Sequence, residues 1–282
     1  MLAAVATGIT KNGVSFDSAA FDRVERRFWA DVWDSVPAEV AHRRGIERRD
    51  FGPIQGVIVG DLAEVGMLNL LLGAAEDPTG ENLAAAIEWT APRGVSPFVP
   101  VTPGLPGSAA AEAWLREHGF GQAYAWMKFV RDTHPPRFPV PDGVEVLELT
   151  APDQEPFGTI AAIGFGLPAW AAEFFAHLPG REGWHCYVAK VDGEAQACGA
   201  MLTDGGIAEF GIAATLQQAR GRGCQTALLH RRIRDAAGAG CQTLFVETGE
   251  RVPDRPSASY RNILRAGFEE AYLRPNWQRR LA

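Results

Sequence analysis

The residues with the clearest potential for chemistry lie between Arg220 and Gln225, in the run Arg-Gly-Arg-Gly-Cys-Gln. The pattern predicts a strand that begins at Ile207 and a helix over 226–237 whose apolar residues share one face. Glycines between a strand and a helix can aim several backbone N–H groups at one point, and the helix N-terminus adds partial positive charge there. Arg220 and Arg222 could pair with further negative charge. This stretch therefore predicts a phosphate-binding loop.

Two common phosphate loops do not fit this run. A P-loop needs a lysine followed by serine or threonine after its last glycine, whereas Cys224 and Gln225 stand there. The dinucleotide fingerprint needs a third glycine, and position 226 is threonine. An ordinary glycine-rich turn before a helix stays open when this loop is taken alone.

A third type of loop fits better, because Arg220–Gln225 resembles the pyrophosphate loop of the GNAT superfamily of acyl-CoA-dependent N-acyltransferases. That loop reads Gln/Arg-x-x-Gly-x-Gly/Ala; Arg220 and Gly223 match it, and Gln225 departs from the last small residue. Downstream, Ser259 to Phe268 resembles the last motif of the family, a helix that ends in Gly-Phe. The resemblance covers about half of the chain, over residues 144–282.

The resemblance implies transfer of an acetyl or other short acyl group from acetyl-CoA, a cosubstrate, directly to an amine. The central strand of this family parts from the next strand, and the pantetheine arm bonds the exposed backbone; Gly211 fits a bulge at that place. The implied pantetheine contacts are Ile212, Ala213, Ala214, Thr215 and, from the other side, Asn262. The implied pyrophosphate contacts are Arg220, Gly221, Arg222, Gly223, Cys224 and Gln225.

The reaction needs a neutral amine, and a lysine-like amine with a pKa of about 10.4 is mostly protonated near neutrality. Glu209 is the predicted base, since it lies eleven residues before Arg220, the spacing at which several GNAT members carry a glutamate. Strand alternation would place Glu209, Gly211 and Ala213 on one face. A surface carboxylate or an amine-binding anion remains the alternative role, and Glu247 is the second candidate base.

The proton for the departing thiolate has no obvious donor. Many family members use a tyrosine four residues before the glycine of the final Gly-Phe, and Ile263 stands there. Tyr260 or Ser259, one helical turn earlier, could substitute, although packing is the favoured role for Tyr260. A thiol with a pKa of about 8.5 leaves with little help. Cys224 lies at a helix N-terminus, which favours a thiolate, but direct transfer needs no nucleophile, so we interpret it as a loop residue.

The composition limits the kinds of binding partner and indicates the cellular compartment. The 282 residues carry a net charge of −7, which argues against broad binding to nucleic acid or anionic membranes. The four cysteines form no C-x-x-C pair, so we expect no metal. The N-terminus lacks the features of a signal peptide and no apolar run is long enough to span a membrane, so we expect a cytoplasmic protein. The expected partner is a small-molecule or protein amine; the oligomeric state is open, with a homodimer as one option.

The predicted fold is α/β, with a mixed, mostly antiparallel sheet flanked by helices, present as two GNAT-like domains. Four prolines in residues 132–143 predict a stiff linker between a domain at 1–131 and a domain at 144–282. Gly119-Phe120 and Gly267-Phe268 repeat at an offset of 148, which suggests an internal duplication. The first copy is degenerate, because Asp77 and Glu81 stand where phosphate would bind. Two unrelated α/β units are the alternative.

The element predictions follow from periodicity and turn signals. In the first half, helices are expected over 16–36, 82–89 and 109–118, and strands over 54–59, 66–72, 96–101 and 123–130. In the second half, strands are expected over 144–149, 184–190, 195–203, 243–248, 271–274 and 277–281, and helices over 155–165, 169–178, 226–237 and 257–266.

Two other functions stay open. One is a non-catalytic acyl-CoA-binding or scaffold protein, which the missing tyrosine and Gln225 favour. The other is a peptidyl or aminoacyl transferase on a tandem GNAT-like fold. A tRNA-dependent form of the latter would need an extended basic surface that the composition does not promise.

Overall fold

A computed structural model of the chain describes residues 7–152, 156–252 and 257–279. The chain divides by its contacts into two compact units. The described part of unit 1 comprises residues 7–9, 15–127 and 271–279, and that of unit 2 comprises residues 10–14, 128–152, 156–252 and 257–270.

The first half of the sequence forms elements up to β7. They are β1 (Thr7–Ile9), β2 (Ser15–Asp17), α1 (Ser18–Asp34), α2 (Ala38–Arg44), β3 (Ile46–Phe51), β4 (Ile54–Val59), β5 (Leu70–Leu72), α3 (Glu81–Thr90), β6 (Val99–Pro100), α4 (Ser108–Glu117) and β7 (Phe120–Arg131).

The second half repeats much of this order. Its elements are β8 (Val144–Leu149), α5 (Phe157–Gly164), α6 (Ala172–Ala176), β9 (Trp184–Val191), β10 (Glu194–Asp204), β11 (Ile207–Thr215), α7 (Cys224–Gly238), β12 (Thr243–Gly249), α8 (Ala258–Arg265) and β13 (Glu269–Arg279).

Unit 1 is organised around α1. Asp17 begins this helix by accepting hydrogen bonds from the backbone N–H groups of Ala19 and Ala20, at 2.9 and 3.1 Å. The apolar face of α1 is buried, and β3, β4 and β5 form an antiparallel sheet. The same buried face carries Glu25, whose carboxylate pairs with the guanidinium of Arg274 from β13. Both side chains are almost fully buried, so the pairing offsets their desolvation.

Unit 2 is built on a sheet in the order β8–β9–β10–β11–β12–β7. The strands from β8 to β11 pair antiparallel, and β11 pairs parallel with β12. An Asp-Gly hairpin joins β9 to β10, with Asp192 and Gly193 at φ values of +54° and +83°. Helix α7 covers one face, where Leu228 and Cys224 pack with Tyr187 and Ala197 in one apolar cluster.

Most predicted elements are present. Strands β4 and β8 have the predicted bounds, and α1, α3, α4 and α7 lie within two residues of theirs. The predicted helix over 257–266 is α8, preceded by Ser257, whose hydroxyl accepts a hydrogen bond from the backbone N–H of Tyr260 at 3.2 Å. The predicted helix over 155–165 is α5; residue 155 lies outside the described residues. Residues 132–143 form neither helix nor strand, as a proline-rich linker should.

Several element predictions are wrong, each for a local reason. Residues 66–72 form a 3₁₀ turn and only a short strand, because the Asn69 amide donates to the carbonyl oxygens of Leu62 and Val65 at 2.9 and 3.0 Å and fixes the turn. The strand over 96–101 shrinks to Val99–Pro100, because Pro97 and Pro100 lack the N–H that a ladder needs. Residues 169–178 form a 3₁₀ turn followed by α6. The two strands expected after residue 271 are one, β13. Helix α2 and strands β1, β2 and β3 were not predicted.

The division into units also departs from the predicted linear boundary. Residues 271–279, expected to end the C-terminal domain, group with unit 1, and residues 128–131 of β7 group with unit 2. Accordingly β13 pairs with β6, and β7 neighbours β12. Side chains explain the placement in unit 1, since Trp277 of β13 joins the apolar core formed by Leu83 and Val99. Each unit therefore receives strand residues from the opposite half of the sequence: most of β13 in unit 1 and the last four residues of β7 in unit 2.

Candidate functional site

The site begins where β11 and β12 part. Their parallel ladder pairs Ile207 to Phe210 with Thr243 to Val246, and within the described residues it ends there. Strand β11 nevertheless continues to Thr215 and β12 to Gly249. The backbone of 211–215 on the β12 side is thus outside the ladder and available to an extended ligand.

A bulge lies immediately beyond the last pair. The register between β10 and β11 shifts between Cys198 and Ala200, which pair with Ala214 and Gly211. The bulge centres on Ile212, whose φ of +45° is rare for a β-branched residue and costs about 1–3 kcal/mol. Gly211, the residue predicted to form the bulge, is regularly paired with Ala200. The strain falls on the adjacent residue.

This bulge corrects the predicted face of β11. Phe210 lies beneath the guanidinium of Arg232 from α7, at 4.8 Å from ring centroid to Cζ, so Glu209 faces away from α7. Beyond the bulge the alternation is inverted. Ala214 faces α5, because a Cβ added to Gly164 would lie 2.2 Å from the Ala214 Cβ. Ala214 rather than Ala213 therefore shares the face of Glu209.

The glycine loop follows β11 after a 3₁₀ turn over Gln217–Ala219. Gly221 and Gly223 have φ values of +81° and +87°, a conformation that glycine adopts without strain. Gly223 is the N-cap of α7, so the first-turn N–H groups of this 15-residue helix point into the loop. Arg220 is exposed, and Arg222 pairs with Asp192 at 2.9 Å in an exposed ion pair that contributes little. The loop has the geometry of an anion site.

Cys224, the first residue of α7, is a poor nucleophile. Its side chain is buried, and burial raises the pKa of its thiol despite the opposing effects of a backbone hydrogen bond and Arg222. The thiol stays protonated near neutrality, which agrees with the interpretation of Cys224 as a loop residue.

Four side chains lie on the face of Glu209. Glu209 is only 4% exposed and pairs across the ladder with Phe245, and alternation puts Glu247 on the same face as Phe245. Lys128 reaches this face from β7, with its Nζ 2.6 Å from Glu247 Oε2 and 5.4 Å from the Phe245 ring centroid. We name Glu209, Phe245, Glu247 and Lys128 the carboxylate face.

Lys128 was missed by the sequence analysis. A lysine between Met127 and Phe129, within an apolar predicted strand, was the available signal, because a buried lysine needs a partner. The partner lies 119 positions later, and only pairing of β7 with β12 brings the two together.

Comparison with known proteins decides the fold. No family model matches the sequence, and no curated protein does. Among solved structures, a GCN5-related N-acetyltransferase from Kribbella flavida matches with a TM-score of 0.58 at 18% identity, covering 91% of this chain and 96% of that one. A GCN5-related N-acetyltransferase from Sphaerobacter thermophilus matches with a TM-score of 0.56 at 16% identity, covering 90% and 94%. A tandem GNAT protein from the clavulanic acid biosynthesis pathway has a TM-score of 0.54 at 16% identity, covering 76% of each chain.

The chain has a tandem GNAT fold. The predicted fold class, a mixed and mostly antiparallel sheet flanked by helices in two GNAT-like domains, is confirmed. In this fold β11 parts from β12 after Phe210, and the glycine loop precedes α7. That this stretch binds acyl-CoA stays a prediction, as do the roles of the individual residues.

Tyr260 and Ser259, the predicted candidates for the general acid, lie on α8. Tyr260 is buried, and its hydroxyl donates to Glu270 Oε1 at 2.5 Å while its ring edge meets Phe129. Burial, reinforced by Glu270, raises the pKa of Tyr260 to about 12. This geometry favours the packing role for Tyr260. Ile263 is buried, whereas Ser259 and Asn262 are half-exposed.

The aromatic side chains in and between α5 and α6 form two groups. Phe157, Phe174 and Phe175 are core residues, whereas Phe165 and Trp170 are partly exposed. Within the described residues, no cluster of histidine, cysteine, aspartate and glutamate is arranged to hold a metal ion. In the same residues, every helix is too short or too polar to cross a membrane.

Proposed function

We propose that this protein transfers an acetyl or other short acyl group from acetyl-CoA to an amine, and that unit 2 carries the site. The observation that carries the proposal is the end of the β11–β12 ladder at Phe210 and Val246, two residues before the strained Ile212. An open strand edge and an anion-binding helix N-terminus then lie at the two ends of one short segment, 211–224. A pantetheine arm joined to a pyrophosphate needs that combination.

The residues present fit acyl-CoA. The N–H and C=O groups of 212–215 can bond the amides of the pantetheine as an added strand would. The first-turn N–H groups of α7 and the exposed Arg220 supply positive charge for the pyrophosphate. Gly221 leaves open space, since a Cβ built there meets nothing described within 4 Å. Asn262, half-exposed on α8, is the remaining proposed pantetheine contact.

Glu209 is the proposed base. It is buried on the carboxylate face and lies two residues before the first open position of β11. Glu209 takes one proton from the ammonium form of the acceptor, directly or through water. The neutral amine then attacks the thioester carbonyl carbon and forms the N–C bond, the carbonyl oxygen becomes an oxyanion, and collapse of this intermediate breaks the C–S bond. CoA departs as a thiolate, which takes up the second proton lost by the nitrogen, directly or through water. A backbone N–H of the open edge can stabilise the developing oxyanion.

We propose that the acceptor is an amine that is protonated, and therefore cationic, before it enters the site. Two carboxylates, Glu209 and Glu247, lie on one face, and the second is held by Lys128. Ammonium groups are drawn to such a face and must be deprotonated there before attack. The proposal covers small-molecule and protein amines alike.

A non-catalytic acyl-CoA-binding protein is the second candidate. Ile263 replaces the tyrosine typical of the family, and the Tyr260 hydroxyl is committed to Glu270. Both features favour binding without turnover. Because a thiolate leaves without an acid at little cost, we favour the enzyme.

Calorimetric titration of acetyl-CoA tests the cofactor site. Gly223→Glu and Arg220→Glu should each weaken binding by at least about tenfold, because they put negative charge beside the pyrophosphate. Gly205→Glu is the control for a charged side chain at a positive-φ glycine, since Gly205 lies in the β10–β11 turn, outside the loop. Arg220→Glu adds the negative charge without the contact with Pro141 that a Cβ at Gly223 makes. Wild-type protein that does not bind acetyl-CoA would refute the proposal.

Turnover with a panel of amines then separates the enzyme from the binder. Glu209→Gln should lower kcat by about 10²–10⁴-fold, the usual contribution of a general base, and leave the Kd for acetyl-CoA within about threefold. Binding without turnover of any amine would favour the second candidate. An unchanged kcat in Glu209→Gln would exclude Glu209 as the base.

A further inference from the structure

Lys128 is a cation that the first half of the sequence places inside unit 2. It belongs to the last four residues of β7, which group with unit 2, and its side chain is fully buried. Burial of an ammonium costs several kcal/mol unless a partner compensates it. Glu247 is such a partner, with its Oε2 2.6 Å from the Lys128 Nζ.

Glu247 stands at the mouth of the gap between β11 and β12. Val246 is the last residue of β12 in the ladder, so Glu247 is the first residue beyond it. Its side chain keeps 18% exposure, whereas that of Lys128 keeps none. The ion pair therefore has a buried cationic end and an acidic end that a ligand can reach.

The pairing also limits what Glu247 can do. If Glu247 accepted a proton, the Lys128 ammonium would be left beside a neutral acid, and the Coulomb attraction between these two side chains would be lost. The pairing therefore disfavours protonation of Glu247 and fixes the position of its carboxylate, which suits the binding of an ammonium group.

We propose that Lys128 is a positioning residue of the acyl-transfer site: it fixes the Glu247 carboxylate at the mouth of the gap, where that carboxylate binds the ammonium form of the acceptor. Glu209 then takes the proton. This inference rests on the proposed function and gives the first half of the chain a part in it, because a strand of that half supplies Lys128.

The test uses the full-length protein and four variants: Lys128→Met, Glu247→Gln, the double variant with both changes, and Arg232→Met. Arg232 is the matched control, a cation that is 1% exposed on the opposite face of the sheet, bonded to the Ala200 carbonyl at 3.0 Å. Each variant is measured for acetyl-CoA binding by calorimetry, and for kcat and KM with the best amine of the panel.

Lys128→Met should leave the Kd for acetyl-CoA within about threefold and lower kcat/KM for the amine by about 100-fold, the usual effect of a small misplacement in a site. The loss should appear mainly in KM, since Glu247 binds the acceptor. Arg232→Met should leave kcat/KM within about threefold. The losses in Lys128→Met and Glu247→Gln should not multiply in the double variant, because Lys128 acts through Glu247.

Turnover of Lys128→Met within threefold of wild type, or losses that multiply in the double variant, would overturn the inference and leave the proposed function standing. A wild type that turns over no amine would overturn both. If Lys128→Met fails to fold, the double variant decides, because replacing both charges of a buried pair by neutral groups is often tolerated. It should match Glu247→Gln, and full activity in it would refute the role of Lys128.

Discussion

Gly221 and Gly223 allow a matched test of the loop geometry, because the two residues share a backbone conformation and differ in their surroundings. Alanine at either position must adopt a φ above +80°, which costs about 1–2 kcal/mol. At Gly221 a new Cβ meets nothing described within 4 Å. At Gly223 it would lie 2.6 Å from the Cβ and Cγ of Pro141 in the linker.

The expected magnitudes follow from that contact. Non-bonded carbons sit about 3.5–4.0 Å apart, so the linker or α7 must move by about 1 Å, and such overpacking costs about 1–3 kcal/mol. Gly221→Ala should therefore lower the free energy of unfolding by about 1–2 kcal/mol and Gly223→Ala by about 2–5 kcal/mol. The difference of about 1–3 kcal/mol is due to Pro141 alone.

Urea unfolding, monitored by fluorescence and by circular dichroism, measures both losses. Hydrogen exchange in peptides that cover residues 220–237 tests whether the lost stability is local to this part of unit 2. In a Pro141→Gly background the two alanine variants should become equally destabilised, since the crowding atoms are gone. Equal losses in the wild-type background, or a larger loss for Gly221→Ala, would refute the close approach of the linker to the loop.

Two further predictions concern Tyr260 and Cys224. Because the pKa of Tyr260 is raised to about 12 from an ordinary value of about 10, its contribution to stability should be complete below pH 10 and lost as the pH rises through about 12. Tyr260→Phe should remove one high-pH transition in the absorbance at 295 nm and lower the free energy of unfolding by about 1 kcal/mol below pH 10. It should leave kcat unchanged. A large fall in kcat would instead indicate that Tyr260 acts as the acid. Burial raises the pKa of the Cys224 thiol, so Cys224→Ser should retain turnover, and the native protein should react with a thiol reagent far more slowly at this position than the urea-unfolded protein does; rapid native labelling of Cys224 would contradict this.

The proposed site could be predicted only in part. The loop was predictable because Gly221 and Gly223 have positive φ, a local conformation that glycine adopts without strain and that its presence in the sequence therefore indicates. The buried position of Glu209 agrees with its spacing from the loop. The backbone conformation of Ile212 could not be predicted, because a β-branched residue rarely adopts a φ of +45°. The pairing with β10 imposes that conformation, and it moved Ala214 rather than Ala213 onto the face of Glu209.

By itself the sequence determined what depends on neighbours along the chain. These features are the helices capped by Asp17 and Ser257, the Asp192-Gly193 hairpin, and the glycine loop at the start of α7. Only the tertiary structure decided which strands lie side by side, including the placement of 271–279 in unit 1 and of Lys128 in unit 2. The physical reason is that the side chains of a strand alternate with a period of two whichever strand lies beside it, so this pattern does not specify the neighbour. Side chains that are distant in sequence contribute to that choice. Glu25 of α1 pairs with Arg274 of β13, and Glu247 of β12 pairs with Lys128 of β7.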